Sequence, residues 1–279
     1  MRIRATVAAL SGTLALSALA LPAAQAADGP NLPKLDALVA KAPADEVEGD
    51  TKITKVTVNG GKAIVLGTTE KKKFTIDVTA TDPEGIFGAD AFLWHGTDLD
   101  SENGIDGLMI SDGDAKCTVV NATTSTCSVA VTADPKSDFY SNIVAGKWHV
   151  GASAIGDDGD FISKDKAPSD ARVLRAAKLT TNASPEPVKK GKTITVTGAL
   201  TRANWETYKY AGYTDQSVKL EFKKKGSSTY STVKTVKSGS KGALKTTVTA
   251  SADGNYRYVF AGTSTTAPVT ATSDAIDVQ

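Results

Sequence analysis

Apolar and polar residues alternate with a period of two along most of this chain, the pattern of half-buried strands. Ile53, Val56 and Val58 open the first run, and Asn59-Gly60-Gly61 turns it. Residues 63–66 are short and apolar. Phe74, Ile76 and Val78 then alternate with Thr75, Asp77 and Thr79 until Asp82-Pro83-Glu84-Gly85 breaks the pattern. Phe92 and Trp94 mark a further strand, and residues 96–115 read as an acidic loop. Trp148, Val150, Ala152 and Ala154 alternate up to the turn Asp157-Asp158-Gly159-Asp160. About seven short strands in about 120 residues predict an antiparallel sandwich.

The same pattern resumes near residue 177. Ile194 and Val196, then Val218, Leu220 and Phe222, then residues 230–236, then Leu244, Thr246 and Val248, then Tyr256, Tyr258 and Phe260 predict successive strands, and residues 269–278 close the set. Runs with a 3.6 period do not occur beyond the leader. The expected fold class is therefore all-β, with two consecutive sandwiches over 51–176 and 177–279.

Residues 1–26 have the layout of a cleaved signal peptide. Arg2 and Arg4 precede a short apolar run, and Ala24-Gln25-Ala26 is a small-x-small cleavage site. The run falls short of the roughly 20 apolar residues a spanning helix needs, so no membrane span is expected in the mature chain. Residues 27–50, rich in Ala, Pro and acids, are expected to form a mobile linker. The expected location is secreted, extracellular or loosely wall-associated, a compartment that suits a disulfide. Cys117 and Cys127 flank a β-rich stretch centred on Ala122, so a hairpin about that centre sets them across from each other.

Charge divides by position. Residues 27–170 carry 24 Asp and Glu against 13 Lys and Arg, whereas residues 171–279 carry 7 against 17. An acidic module thus precedes a basic one, which bears on partners more than on fold. The basic module could lean on the acidic one through surface pairs.

The run 183–198 (ASPEPVKKGKTITVTG), with 203–205 (ANW), 210–213 (YAGY) and 253–265 (DGNYRYVFAGTST), resembles the C-terminal Ig-like domain of secreted streptomycete proteins. Residues 81–86 (TDPEGI) and 146–148 (GKW) resemble the domain that often precedes it. Members are commonly labelled calcium-binding proteins. The resemblance spans about residues 51–279 and implies Ig-like sandwiches and secretion; it assigns calcium to no particular residue.

Templates for common enzymes are missing: there is no H-E-x-x-H, G-x-S-x-G, G-x-G-x-x-G or P-loop. The two histidines, His95 and His149, each follow a tryptophan; if both tryptophans point into the core, alternation sends both imidazoles outward, where they could share one sheet face as a transition-metal or pH-sensitive site or stand as two solvated strand residues. Calcium is the better metal candidate, because it takes several hard oxygens from flexible loops. Asp98, Asp100, Glu102 and Asp106 lie in one acidic loop. An EF-hand starting at Asp98 would need glycine where Asn103 stands and glutamate where Met109 stands. In an Ig-like order the 82–85 and 157–160 turns share one end of the sandwich, which would gather Asp82, Glu84, Asp157, Asp158 and Asp160. The alternative is a set of solvated acids that maintain solubility.

The basic module suits attachment to an anionic cell-wall polymer or polysaccharide, and nucleic acid is not expected as a partner of an exported chain. Trp205, Tyr208, Tyr210 and Tyr213, in what reads as a long 201–215 loop, could stack on sugar or could pin that loop over the sandwich. The function expected is a non-catalytic binding protein at or near the cell envelope. An accessory or inhibitor-type module for an extracellular enzyme, and a small hydrolase with an acidic pair, remain open alternatives.

Overall fold

The computed structural model describes residues 45–101 and 104–279. The expected signal peptide, most of the expected linker and Glu102 lie outside the described residues.

The first half of the chain runs through β1 (Glu46–Glu48), β2 (Lys52–Val58), β3 (Ile64–Leu66), β4 (Lys72–Thr81), β5 (Ile86–Gly96) and β6 (Ile105–Met109). It continues with β7 (Lys116–Asn121), β8 (Thr124–Ala133), β9 (Gly146–Lys147), β10 (His149–Gly156), β11 (Phe161–Lys164) and β12 (Arg172–Arg175). One sheet has the order β1-β11-β10-β5-β6 and the facing sheet β2-β4-β8-β7. A small third sheet, β3-β12-β9, closes one end, with β3 and β12 parallel. The alternating residues fill the space between the two large sheets: Ile76, Val78, Val129 and Val131 from one, Leu93, Val150 and Ala154 from the other, all fully buried.

The second half comprises β13 (Ala177–Leu179), β14 (Asn182–Ser184), β15 (Thr193–Asn204), β16 (Lys209–Gly212) and β17 (Ser217–Lys224). Then follow β18 (Ser231–Lys237), β19 (Ala243–Thr249), β20 (Gly254–Phe260), β21 (Val269–Thr270) and β22 (Asp274–Ile276). Strand β15 is the hub of one sheet, pairing with β13, β14, β16 and β19, while β17 and β20 centre the other. Ile194, Val196, Leu200, Val218, Leu220 and Tyr258 form its core. The described residues are thus all-β, two sandwiches in series whose paired strands are antiparallel apart from β3 and β12, and among them no helix is long and apolar enough to cross a membrane.

Several expectations need correction. The linker expected through residue 50 contributes a strand, since β1 pairs antiparallel with β11. The 96–115 loop holds β6, which pairs with β5. The 201–215 loop is largely a hairpin, because β15 runs on to Asn204 and β16 pairs back along it. The tryptophans do not share a face. Trp94 lies opposite His149 and stacks on it at 4.5 Å between centroids, while His95 meets Trp148 at 5.6 Å. Alternation holds at Trp148, which joins Val150, Ala152 and Ala154 in the first core; it is Trp94 that faces out, because Ala89, Ala91 and Leu93 are the inward residues of β5.

The two domains are joined by packing rather than by charge. Ala203 and Trp205, from the end of β15 and just beyond, are fully buried in the first core. Trp205 Nε1 donates to the Gly67 carbonyl at 2.9 Å, and its backbone N–H donates to Asn142 Oδ1 at 3.1 Å. Arg175 Nε donates to the Ala203 carbonyl at 2.6 Å. Burial, with Arg202 nearby, brings the Arg175 guanidinium down to about 10. Among the described residues no ion pair crosses from one domain to the other.

Candidate metal centre

Three short connections meet at one end of the first sandwich. The turn after β4 supplies Asp82 and Glu84, the turn between β10 and β11 supplies Asp157, Asp158 and Asp160, and the segment after β1 supplies Asp50. Pairing of β5 with β10 forces the two turns together, and the Asp157 N–H donates to the Gly85 carbonyl at 3.0 Å. Glycine is required at Gly156, because a Cβ there would come within 2.5 Å of Asp82 Oδ2 and 2.8 Å of Asp158 Oδ1.

Carboxylate oxygens converge in two groups, Asp50–Asp82–Glu84 and Asp82–Asp158–Asp160, with the ligand atoms of each group all within 4.8 Å of one another. Asp82 belongs to both and is only 1% exposed. Its Oδ2 accepts from the buried Thr51 hydroxyl at 2.5 Å, and its Oδ1 accepts from the Glu84 N–H at 3.0 Å. Asp160 Oδ2 accepts from the Asp50 N–H at 2.8 Å, and Asp158 Oδ1 accepts from the Asp160 N–H at 3.1 Å. These bonds fix the carboxylates without neutralising them. Among the described residues, none of the five makes an ion pair with Lys, Arg or His. Glu84 is exposed, yet partial desolvation by its neighbours, then Asp158, Asp82 and Asp50, push its carboxyl above the ordinary range. A pocket of hard oxygens with uncompensated negative charge is what a divalent cation neutralises.

The expected set is thus gathered in part. Asp82, Glu84, Asp158 and Asp160 come together, and Asp50, expected in the linker, joins them. Asp157 stays outside both groups, its carboxylate lying over Gly85. Asp98, Asp100 and Asp106 do not converge on any shared point. Asp98 accepts from the Asp100 N–H at 3.1 Å within its own loop, and Asp106 is hydrogen-bonded to His95 Nδ1. The signal for Asp50 was weak: a three-residue alternation at 46–48 is too short to distinguish a strand from a linker.

Cys117 and Cys127 are bonded directly across β7 and β8. The four aromatics do not form a stacking platform. Trp205 is fully buried, Tyr210 lies beneath the Lys178 ammonium at 3.9 Å, and Tyr213 lies beneath the Arg202 guanidinium at 3.8 Å and against Phe260. Tyr208 alone is well exposed, with its hydroxyl 3.4 Å from the Lys136 carbonyl. The reason is the joint, which draws this segment onto the first domain.

No protein-family model matches the chain, and no curated protein matches it. Among solved structures it is similar to a marsupial T cell receptor, at 13% identity and a TM-score of 0.38, over 78% of this chain and 71% of that one. It is similar to fibronectin(III)-like modules of Clostridium thermocellum CbhA at 10% identity and a TM-score of 0.31, over 80% and 93%. It is also similar to latent PorU from Porphyromonas gingivalis at 12% identity and a TM-score of 0.28, where it spans 82% of its own length but only 20% of that chain.

Proposed function

We propose that this chain is an exported, non-catalytic Ig-like binding protein of the cell envelope, whose first domain holds a calcium ion through Asp50, Asp82, Glu84, Asp158 and Asp160. The observation that carries the calcium reading is Asp82, a buried carboxylate shared by two converging acidic groups, with no Lys, Arg or His paired to any of them among the described residues. Calcium suits such a site because it accepts irregular, oxygen-only coordination from loops. In support of a binding role, the residues at this end are carboxylates in turns, and among the described residues no imidazole or thiol joins their groups to act as base or nucleophile. The Cys117–Cys127 disulfide supports export. Envelope attachment would fall to the second domain, where Lys189, Lys190, Lys192, Lys224, Lys234, Lys237, Lys241 and Lys245 are exposed.

The test is thermal unfolding of the mature chain with and without calcium. A ligand at 100 times its dissociation constant adds about 2.7 kcal/mol, so the midpoint should rise by about 5 °C or more. Asp82→Asn, whose amide oxygen still accepts from the Glu84 N–H while its NH2 donates to the Thr51 hydroxyl, should remove that rise. An unchanged midpoint in millimolar calcium, with no heat by calorimetry, overturns the calcium reading.

A further inference from the structure

The sheet β1-β11-β10-β5-β6 has an outer face, turned away from the first core, that the calcium reading leaves unused. Asp90, Ser153 and Ser163 sit opposite one another there on three adjacent strands, and Phe92 and Trp94 continue β5 on the same face. A recess of about 20 Å³ lies above Ser153, walled by Asp90, Leu99, Asp165 and the Lys164 side chain that reaches toward Asp45, among others. That volume holds one water-sized group. Ser153 is 2% exposed, and its hydroxyl faces the recess with no hydrogen-bond partner among the described residues. A buried hydroxyl left unsatisfied is costly and calls for a polar occupant.

Leu99 and Asp165 also wall a wider concavity of about 230 Å³, bounded by Asp45, Asp98, Asp100 and Trp94. Carboxylates therefore surround the two hollows, and two ammonium groups answer them. Lys164 Nζ lies 3.8 Å from Asp45, and Lys166 Nζ donates to the Thr97 carbonyl at 3.1 Å while standing 5.2 Å over the Trp94 ring. Burial, then Asp100, Asp45 and Asp98, raise the Asp165 carboxyl above its ordinary range, a sign of excess negative charge. The carboxylates do not converge as metal ligands do. Spread around an apolar wall and an aromatic ring, they suit an organic cation instead.

We propose that this face binds a primary ammonium, with its head in the recess between Ser153 Oγ and Asp165 and its methylene stem along Leu99 toward Trp94. Lys166 shows that the ring accepts an ammonium, and this exposed side chain stands at the mouth as a like charge. The chemistry fits a free alkyl diamine or the lysine side chain of another protein. The proposal is independent of calcium.

The probe is the full mature chain titrated with 1,5-diaminopentane and with N-acetyl-lysine amide, with 1-pentanol as the uncharged counterpart. The reporter is the Trp94 indole proton, assigned by Trp94→Phe, because Trp94 Nε1 donates to the Asp165 carbonyl at 2.7 Å. Both amines should give a saturable NMR shift and pentanol none. Ser153→Ala and Asp165→Asn should each weaken binding about tenfold, and Lys166→Met should tighten it. The exposed pair Asp98→Asn with Asp100→Asn, remote from the core, should also weaken it and serves if Asp165→Asn does not fold. Binding of the diamine alone assigns the site to free amines; binding of both extends it to lysine side chains. No saturable shift in either the native chain or Lys166→Met, an equal shift with pentanol, or unchanged affinity in Ser153→Ala overturns the proposal.

Discussion

Trp205 of the second domain lies 4.7 Å from Phe139 of the first, ring centroid to ring centroid, and is fully enclosed there. The hydrogen bonds around it come from both sides of the joint. Asn142 Nδ2 donates to Asn204 Oδ1 at 3.0 Å, and the Asn142 N–H donates to Glu206 Oε1 at 3.0 Å. The resulting carboxylate contacts hold the Glu206 carboxyl below its ordinary range. One domain therefore completes the other's core, and the orientation of the pair follows from that insertion.

Trp205→Ala should cost about 3–5 kcal/mol, the range for removing a large aromatic from a core. The loss should appear in the first domain although the substitution is in the second. Calorimetry should show one transition for the intact chain and two for Trp205→Ala, the lower one belonging to residues that pack on Phe139. A single transition with an unchanged midpoint would show that the ring contributes no coupling.

The disulfide closes a short hairpin, with its cysteines 10 apart in sequence. Chain-entropy arithmetic for a loop that size gives roughly 2–3 kcal/mol. Cys117→Ser with Cys127→Ser should lower the urea midpoint accordingly without changing the fold. Strand β7 is exposed throughout and pairs only with β8 among the described residues, so loss of the bond should show first as faster hydrogen exchange along Lys116–Asn121.

The sequence pattern revealed much of this architecture and some of the site, for reasons visible at particular residues. Alternation located β4, β17 and β20 because Ile76, Leu220 and Tyr258 recur on one face of long strands. Asp82, Asp158 and Asp160 were recognisable because each stands in a turn and strand order sets which turns are neighbours. Strand β6 escaped because Gly107 interrupts its apolar face and acids surround it. Trp205 was misjudged because a ring that fills another domain's core looks, from its local sequence, like an exposed aromatic. Local pattern carries burial within a sheet, not burial supplied by a distant segment.

Glu84 gives the calcium reading a sign in pH. Its folded-state value lies above its ordinary one, because partial desolvation and then Asp158 disfavour the charge. The folded chain therefore binds that proton more tightly than the unfolded one. Its contribution to stability is present below the ordinary carboxylate range and is lost as pH rises through the raised value. Calcium needs the deprotonated form, so the calcium-induced rise in midpoint should grow over the same interval. Glu84→Gln should flatten the calcium-free profile there and shrink the calcium effect. If the native profile and the Glu84→Gln profile run parallel, Glu84 is not part of the site.

Attachment through the second domain should be electrostatic. Lys189, Lys190, Lys192, Lys234 and Lys237 are exposed and make no ion pair among the described residues, whereas Lys225 is held 3.2 Å from Asp253. Deleting residues 177–279 is a poor test, because it also removes Trp205 from the first core. Charge removal in place is cleaner. Replacing Lys189, Lys190 and Lys192 by Gln, or Lys234 and Lys237 by Gln, leaves both cores intact and should each lower retention on purified cell wall. Retention should fall steeply with salt and be lost by about 0.5 M, since exposed charges are screened there. The dependence on salt should become shallower with each block of lysines removed, because fewer counterions are exchanged. Retention that resists salt, or that survives both replacements, would place the attachment on other chemistry than these lysines.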